Sequence, residues 1–229
     1  MTQTQQLVTT AFTSLDWKLD FILAPLTYFK IGGPAELFLD LTDSTILVEI
    51  RRFCRKHSIP FRVVGGLSNV IVADEGVKGV LIRLQDQRIE RSNQEPEVVF
   101  ASAGAKMALV VAETIKYGLT GLEYFLGVPG TVGGAVLNNA HYLSDLISQH
   151  VKRVRIITAD DKAEWLQASE CEFGYDHSRF QKSGEIILGV EFLLRPGDAA
   201  TSQQLITKAT QYRATTQPLG LPSSGCIFQ

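Results

Sequence analysis

GLEYFLGVPGTVGGAVLNNA, residues 121–140, is the most glycine-dense part of the chain and the most informative about its architecture. Four glycines, Gly127, Gly130, Gly133 and Gly134, surround Val128, Pro129 and Thr131 in a background too apolar for a flexible linker. Thr131 is placed to cap a short helix starting near Val132. At such a start, unpaired N–H groups converge and the dipole favours an anion, so a phosphate can sit there. Dense glycine also permits two elements to pack closely, which is the competing reading. The paired Asn138 and Asn139 at the end of the stretch tip the balance towards a ligand cradle.

A second glycine-bearing segment lies upstream: Gly65, Gly66, Leu67, Ser68 and Asn69, set between two apolar runs. Glycines there let the backbone turn sharply and aim successive N–H groups at an anion, with Ser68 and Asn69 adding side-chain donors. Taken alone, with only two glycines, it reads more readily as a hairpin turn; taken with residues 127–134 it reads as part of a ligand site. Neither segment follows the GxGxxG or GxxxxGK[ST] spacing, which disfavours a Rossmann domain and a P-loop NTPase.

Around these segments the chain alternates strand and helix patterns. Residues 1–24, rich in Gln and Thr, show no sustained period and read as a loosely held N-terminal arm. Residues 35–41 (AELFLDL) alternate as a strand, Asp43 or Ser44 caps a helix carrying Ile46, Ile50, Phe53 and Cys54, and Pro60 stops it. Residues 61–64 and 79–84 are strands. The polar stretch 85–96 marks a lobe boundary. Beyond it come a strand at 98–103, a helix with Met107, Val110, Val111 and Ile115 on one face, strands at 151–158 and 185–194, and a polar helix at 200–215. The expected organisation is an N-terminal arm (1–24), a first ligand-binding lobe (25–86), a second ligand-binding lobe (97–198), and a helix with the start of a further domain (199–229).

Composition narrows the class. A formal charge of −2 with mixed signs argues against nucleic acid or an anionic membrane surface as partner. Three scattered cysteines and four histidines lack the spacing of a disulfide framework or a metal site. No apolar run reaches the ~18 residues of a membrane span, and the N-terminus lacks a signal-peptide pattern, so a cytoplasmic protein is expected.

Five strings occur in order: TYFKIGGPAE (27–36), GGLSN (65–69), the long glycine-rich stretch, FGY (173–175) and QPLGLPSSGCIF (217–228). Together the chain resembles the UDP-N-acetylenolpyruvoylglucosamine reductases. That resemblance implies an α+β, two-lobed FAD-binding fold of the vanillyl-alcohol-oxidase type, with FAD held by the two glycine-bearing segments. It implies NADPH as reductant and a UDP-sugar as substrate. NADPH reduces the flavin, hydride then passes from flavin N5 to the vinyl carbon of an enolpyruvyl group, and the resulting enolate is protonated to give UDP-N-acetylmuramate for peptidoglycan synthesis. The alternatives carried beside it are a non-catalytic FAD-binding module and a flavin oxidase of the same fold.

The resemblance also assigns residues, with departures. Cys226 stands where many members have a serine proton donor; a thiol, with a reference pKa of about 8.5, is the stronger acid. Tyr175 matches the family tyrosine. The next position commonly holds an arginine that polarises the substrate, and here it is Asp176, which leaves Arg179 or His177 as the nearby cation. Arg213 matches a basic position. His141 follows the Asn-Asn-Ala run where glycine is usual. The family continues with a substrate-binding domain bearing a catalytic glutamate, whereas this chain stops at Gln229, so a chain ending there is expected to be short of one catalytic group.

Overall fold

PAELFLDL, residues 34–41, buries Ala35, Leu37, Phe38, Leu39 and Leu41 while Glu36 and Asp40 stay half-buried. A strand hidden on both faces belongs in the middle of a sheet, and it takes that place in the computed structural model, which describes residues 1–216. The chain forms two compact units, Met1–Gln85 and a second beginning at Asp86.

In the first unit, α1 (Gln3–Ala11) leads into β1 (Lys18–Ile22), β2 (Pro34–Leu41), α2 (Leu47–Lys56), β3 (Phe61–Val64) and β4 (Val77–Leu84). The sheet order is β1-β2-β4-β3; β1 runs antiparallel to β2, and β2 and β3 both run parallel to β4. Parallel neighbours need a crossover, and α2 supplies one between β2 and β3. Asp43 accepts from Thr45 N at 2.9 Å to start the turn that leads into α2, and Leu47, Ile50, Arg51 and Cys54 form its buried face. Phe38 stacks on Phe21 at 4.8 Å within a cluster holding Leu23, Ala35 and Leu81. Burial pushes the Asp40 carboxyl up, but Arg83 at 2.6 Å and Lys18 at 3.0 Å outweigh it and hold the group below the usual carboxylate range.

The expected loose arm is corrected here. Thr2 and Gln5 close a reciprocal capping box on α1, and Gln5 Nε2 donates to the Glu36 carbonyl at 3.0 Å and to Asp20 at 3.0 Å. Residues 18–22 add the edge strand β1. Gln and Thr conceal this from a hydrophobic-pattern reading because the helix docks through a buried polar side chain as well as Val8.

The second unit comprises β5 (Ile89–Arg91), β6 (Val98–Ser102), α3 (Met107–Lys116), β7 (Leu119–Thr120), α4 (Val132–Leu137), β8 (His141–Tyr142), β9 (Asp145–Leu146), β10 (Val151–Ile157), β11 (Ala163–Gln167), β12 (Ile186–Leu193), β13 (Arg195–Pro196) and α5 (Ala199–Thr216). Its main sheet, β11-β10-β12-β6-β5, is antiparallel throughout, while β7 pairs with β13 and β8 with β9. The polar stretch 85–96 therefore contains a strand, β5, in the second unit's sheet. α4 packs on β6 and β12. Glu123, 3% exposed, fastens the region before the glycine-rich segment: it accepts from Ser202 Oγ and Thr120 Oγ1 at 2.6 Å and from Gly121 N at 2.8 Å. Burial raises the Glu123 carboxyl, and these hydrogen bonds more than offset that, leaving it below its ordinary range.

Among the described residues no helix is long and apolar enough to cross a membrane, and no group of three or more His, Cys, Asp or Glu could hold a metal ion.

Candidate functional site

The chain after Thr131 turns directly into α4, and the first donors of that helix are already used. Val132 N donates to Ala105 O at 2.9 Å and Gly133 N to Ala103 O at 2.8 Å. Met107 N donates to Gly130 O at 3.3 Å, and Lys106 and Thr131 form an antiparallel bridge. Residues 103–107 and 130–133 thus pair as two short strand-like pieces. The expected anion seat at the start of α4 loses two of its N–H groups to this pairing. Gly133 is there for closeness: a Cβ added to it would lie 2.9 Å from Ala103 Cβ and 3.1 Å from Ala103 O. Gly134, one residue on, would meet only Thr131 Oγ1 at 3.8 Å.

What the pairing leaves over is polar. Thr131 Oγ1 and Ser102 Oγ are buried with no partner among the described residues, and the Thr131 side chain does not cap α4. A buried hydroxyl without a partner costs about 1–3 kcal/mol, so two on adjoining segments mark a place where an external polar group completes the bonding. A flavin nucleotide, with ring carbonyls, ring nitrogens and phosphate oxygens, has the chemistry to do so, and the residues fit it. Loop 103–106, which contributes half of the arrangement, was missed by the sequence reading. Its small-residue run ASAGA, residues 101–105, is the signal that marks it. Gln87 clamps this loop, donating to Gly104 O at 2.6 Å and accepting from Lys106 N at 3.1 Å.

Arg213, on α5, reaches the other end of the glycine-rich segment. Its Nη1 donates to the Gly127 carbonyl, and its guanidinium lies 5.3 Å from the Tyr142 ring centroid. Tyr142 also stacks on Tyr124 at 5.5 Å and meets Tyr212 edge-on at 6.3 Å. Val128 N donates to Phe125 O at 3.0 Å, closing the turn before Pro129.

The loop of residues 65–69 belongs to the first unit. Here Leu67 itself adopts the left-handed region, φ +55°, with its side chain 3% exposed and its carbonyl accepting from Tyr28 N at 3.3 Å. Non-glycine residues enter this region at a cost of roughly 1–2 kcal/mol, so the turn is held by burying the leucine.

Asn138 accepts from Gln181 Nε2 at 3.5 Å, and Gln181 also donates to Asp176 O at 2.9 Å. Asn139, 1% exposed, is occupied by Gly174 O at 2.7 Å and Ser148 N at 3.1 Å. Tyr175 is 66% exposed and its hydroxyl lies 3.3 Å from His141 Nε2. Arg179 is bidentate to Glu185, at 3.0 and 2.9 Å, and donates to Glu170 O at 3.1 Å, so its charge is balanced by its own neighbour. Cys226 lies outside the described residues. Cys54 and Cys171 are buried, which pushes both thiols up to about 12 and keeps them from thiolate chemistry.

Comparison with known proteins supplies the family. Residues 35–167 match the FAD binding domain family. The chain is 34% identical over 215 residues to the UDP-N-acetylenolpyruvoylglucosamine reductase of Streptococcus agalactiae serotype III (strain NEM316), covering 94% of this chain and 71% of that protein. It is 32% identical to the enzyme of the same name from Streptococcus pneumoniae (strain 70585), with the same two coverages. Among solved structures, the UDP-N-acetylenolpyruvylglucosamine reductase of Thermus caldophilus superposes with a TM-score of 0.77 at 28% identity, over 94% of this chain and 74% of that one. A cholesterol oxidase variant from Brevibacterium sterolicum, at TM-score 0.58 and 15% identity over 80% and 38% of the two chains, shares the fold alone. With its α+β units and both glycine-bearing segments, the chain belongs to the UDP-N-acetylenolpyruvoylglucosamine reductase family.

Proposed function

We propose that this protein is an FAD-dependent, NADPH-linked oxidoreductase that reduces the enolpyruvyl group of UDP-N-acetylglucosamine enolpyruvate to give UDP-N-acetylmuramate, a cytoplasmic step in peptidoglycan precursor synthesis and so in cell-wall growth, shape and division. The observation that carries this reading is the 34% identity to a named reductase over 94% of the chain, spanning both glycine-bearing segments.

FAD, when bound, supplies the hydride chemistry. The chain's own groups do the rest. Gly65, Gly66, Leu67, Ser68 and Asn69 in one unit, and residues 127–134 with Asn138 in the other, are the proposed cofactor contacts. Thr131 Oγ1 offers a buried hydroxyl for a polar edge of the cofactor. Arg213 keeps the Gly127 turn in shape by donating a hydrogen bond to its carbonyl. Tyr175, exposed and capable of donating a hydrogen bond, stabilises the carboxylate or the developing enolate of the substrate. Cys226 is the proposed proton donor to the carbon next to that carboxylate. Arg179, tied to Glu185, contributes through the turn it braces.

Flavin fluorescence titration and NADPH consumption test the reading together. The expected result is stoichiometric FAD uptake and NADPH oxidation that depends on the enolpyruvyl sugar nucleotide. Replacing Arg213 by methionine should weaken FAD binding by about tenfold, equivalent to about 1.4 kcal/mol. A colourless chain that takes up no FAD would end the proposal, and oxygen-dependent turnover of an alcohol in place of the sugar nucleotide would redirect it to an oxidase.

A further inference from the structure

The two positions at which the sequence departs from its family inside the second unit, His141 and Asp176, touch each other. His141 Nδ1 lies 3.1 Å from Asp176 Oδ1. The other ring nitrogen, Nε2, lies 3.3 Å from the Tyr175 hydroxyl, with the two rings tilted at 4.8 Å between centroids. The three side chains form a line, Asp176–His141–Tyr175, that ends on a largely exposed phenol.

The turn presenting Tyr175 and Asp176 is held from several sides. Gly174 and His177 pair across it, Asn139 Nδ2 donates to Gly174 O at 2.7 Å, and Gln181 Nε2 donates to Asp176 O at 2.9 Å. Asp176 sits at φ +49°, a conformation Asp tolerates better than most residues. These contacts fix the backbone that carries Tyr175, and its hydroxyl, on a side chain 66% exposed, is set by His141 Nε2 alone among the contacts described.

The hydrogen positions follow from the partners. An ionised carboxylate only accepts, so Asp176 places a proton on His141 Nδ1. Nε2 then sets the direction of Tyr175. A neutral imidazole accepts the phenol hydrogen and turns it inward. A protonated imidazole donates to the phenol oxygen and frees the phenol hydrogen to point outward at a ligand oxygen. Other charged groups nearby have partners of their own: Asp145 with His150 at 2.9 Å, His177 with Gln181 at 3.2 Å, Arg179 with Glu185, and Arg213 with the Gly127 carbonyl.

We propose that His141, held by Asp176, is a positioning residue that makes Tyr175 a hydrogen-bond donor to an anionic ligand oxygen, the substrate carboxylate under the function proposed above. Its protonated form supplies the positive charge that Asp176 alone would remove.

Nitrogen-15 NMR of histidine in the FAD-loaded chain tests the couple without any substrate, with His141 assigned through His141→Gln. The expected result is a neutral ring protonated at Nδ1, with an Nε2 resonance that moves in Tyr175→Phe. A neutral ring protonated at Nε2 overturns the proposal. Titration with UDP-N-acetylglucosamine enolpyruvate, and separately with phosphoenolpyruvate, should move the His141 Nε2 resonance. For the sugar nucleotide, His141→Gln and Tyr175→Phe should each weaken binding by about tenfold, and the double variant should lose little more. Independent, additive losses overturn it. If phosphoenolpyruvate moves the resonance and the sugar nucleotide does not, the anion site stands and the substrate assignment fails. If neither moves it, the site itself fails.

Discussion

The loop of residues 65–69 and the segment of residues 127–134 have similar compositions and different physical constructions. In the first, the left-handed turn falls on Leu67, and burial of the leucine side chain offsets the backbone cost. In the second, the main chain is fixed by pairing with residues 103–107, and Gly133 is small because Ala103 is in the way. Glycine density alone did not distinguish a turn anchored by an apolar residue from a strip of paired backbone. In one segment glycine accompanies a turn anchored by an apolar side chain; in the other it allows close backbone approach, beside two hydroxyls, Thr131 Oγ1 and Ser102 Oγ, that have no partner among the described residues.

Gly133→Val attacks that contrast most strongly. Its side chain would enter a space bounded by the Ala103 main chain, which cannot swing aside, and the second unit should lose about 3 kcal/mol together with its FAD. Urea unfolding followed by near-ultraviolet circular dichroism reads the loss; a variant as stable as the parent would break the pairing account. Leu67→Ala probes the other construction. Removing a buried leucine from a turn that keeps its strained φ should cost the first unit about 2 kcal/mol, measured in the same way.

Glu123→Ala comes next. It leaves Ser202, Thr120 and the Gly121 N–H without their acceptor, at a cost of about 2 kcal/mol at neutral pH. The pH dependence has a definite sign. Because the folded carboxyl lies below its ordinary value, its stabilising contribution is present above the unfolded pKa and is lost as pH falls through the folded one. Parent and Glu123→Gln should therefore converge in stability under acid conditions; a gap that widens there would contradict the assignment.

Gly134→Ala has the smallest effect and the sharpest use. An added Cβ makes only an ordinary contact, with Thr131 Oγ1 at 3.8 Å, so alanine should raise the stability of the FAD-free chain by about 0.5–1 kcal/mol through helix propensity. If the FAD contact proposed for Gly134 holds, the same substitution weakens FAD binding. A gain in stability with unchanged affinity would remove Gly134 from the cofactor site.

Much of this was readable in the residues. The helices after Asp43 and before Gly118 follow from apolar spacing and caps, β2, β6, β10 and β12 from apolar runs, and the family from motif order. These signals are local, set by side-chain period and by short-range hydrogen bonds, and a linear sequence carries them. Helix α1 escaped because its docking group is Gln5, and β5 because Ile89–Arg91 is too short and charged to show a period. The seating of residues 130–133 on 103–107, the occupation of Arg179 by Glu185 and the meeting of His141 with Asp176 were decided by tertiary structure alone. Each joins groups whose partner is chosen by the geometry of the folded backbone, and a hydrogen bond between such groups leaves no periodic trace in the sequence that makes it.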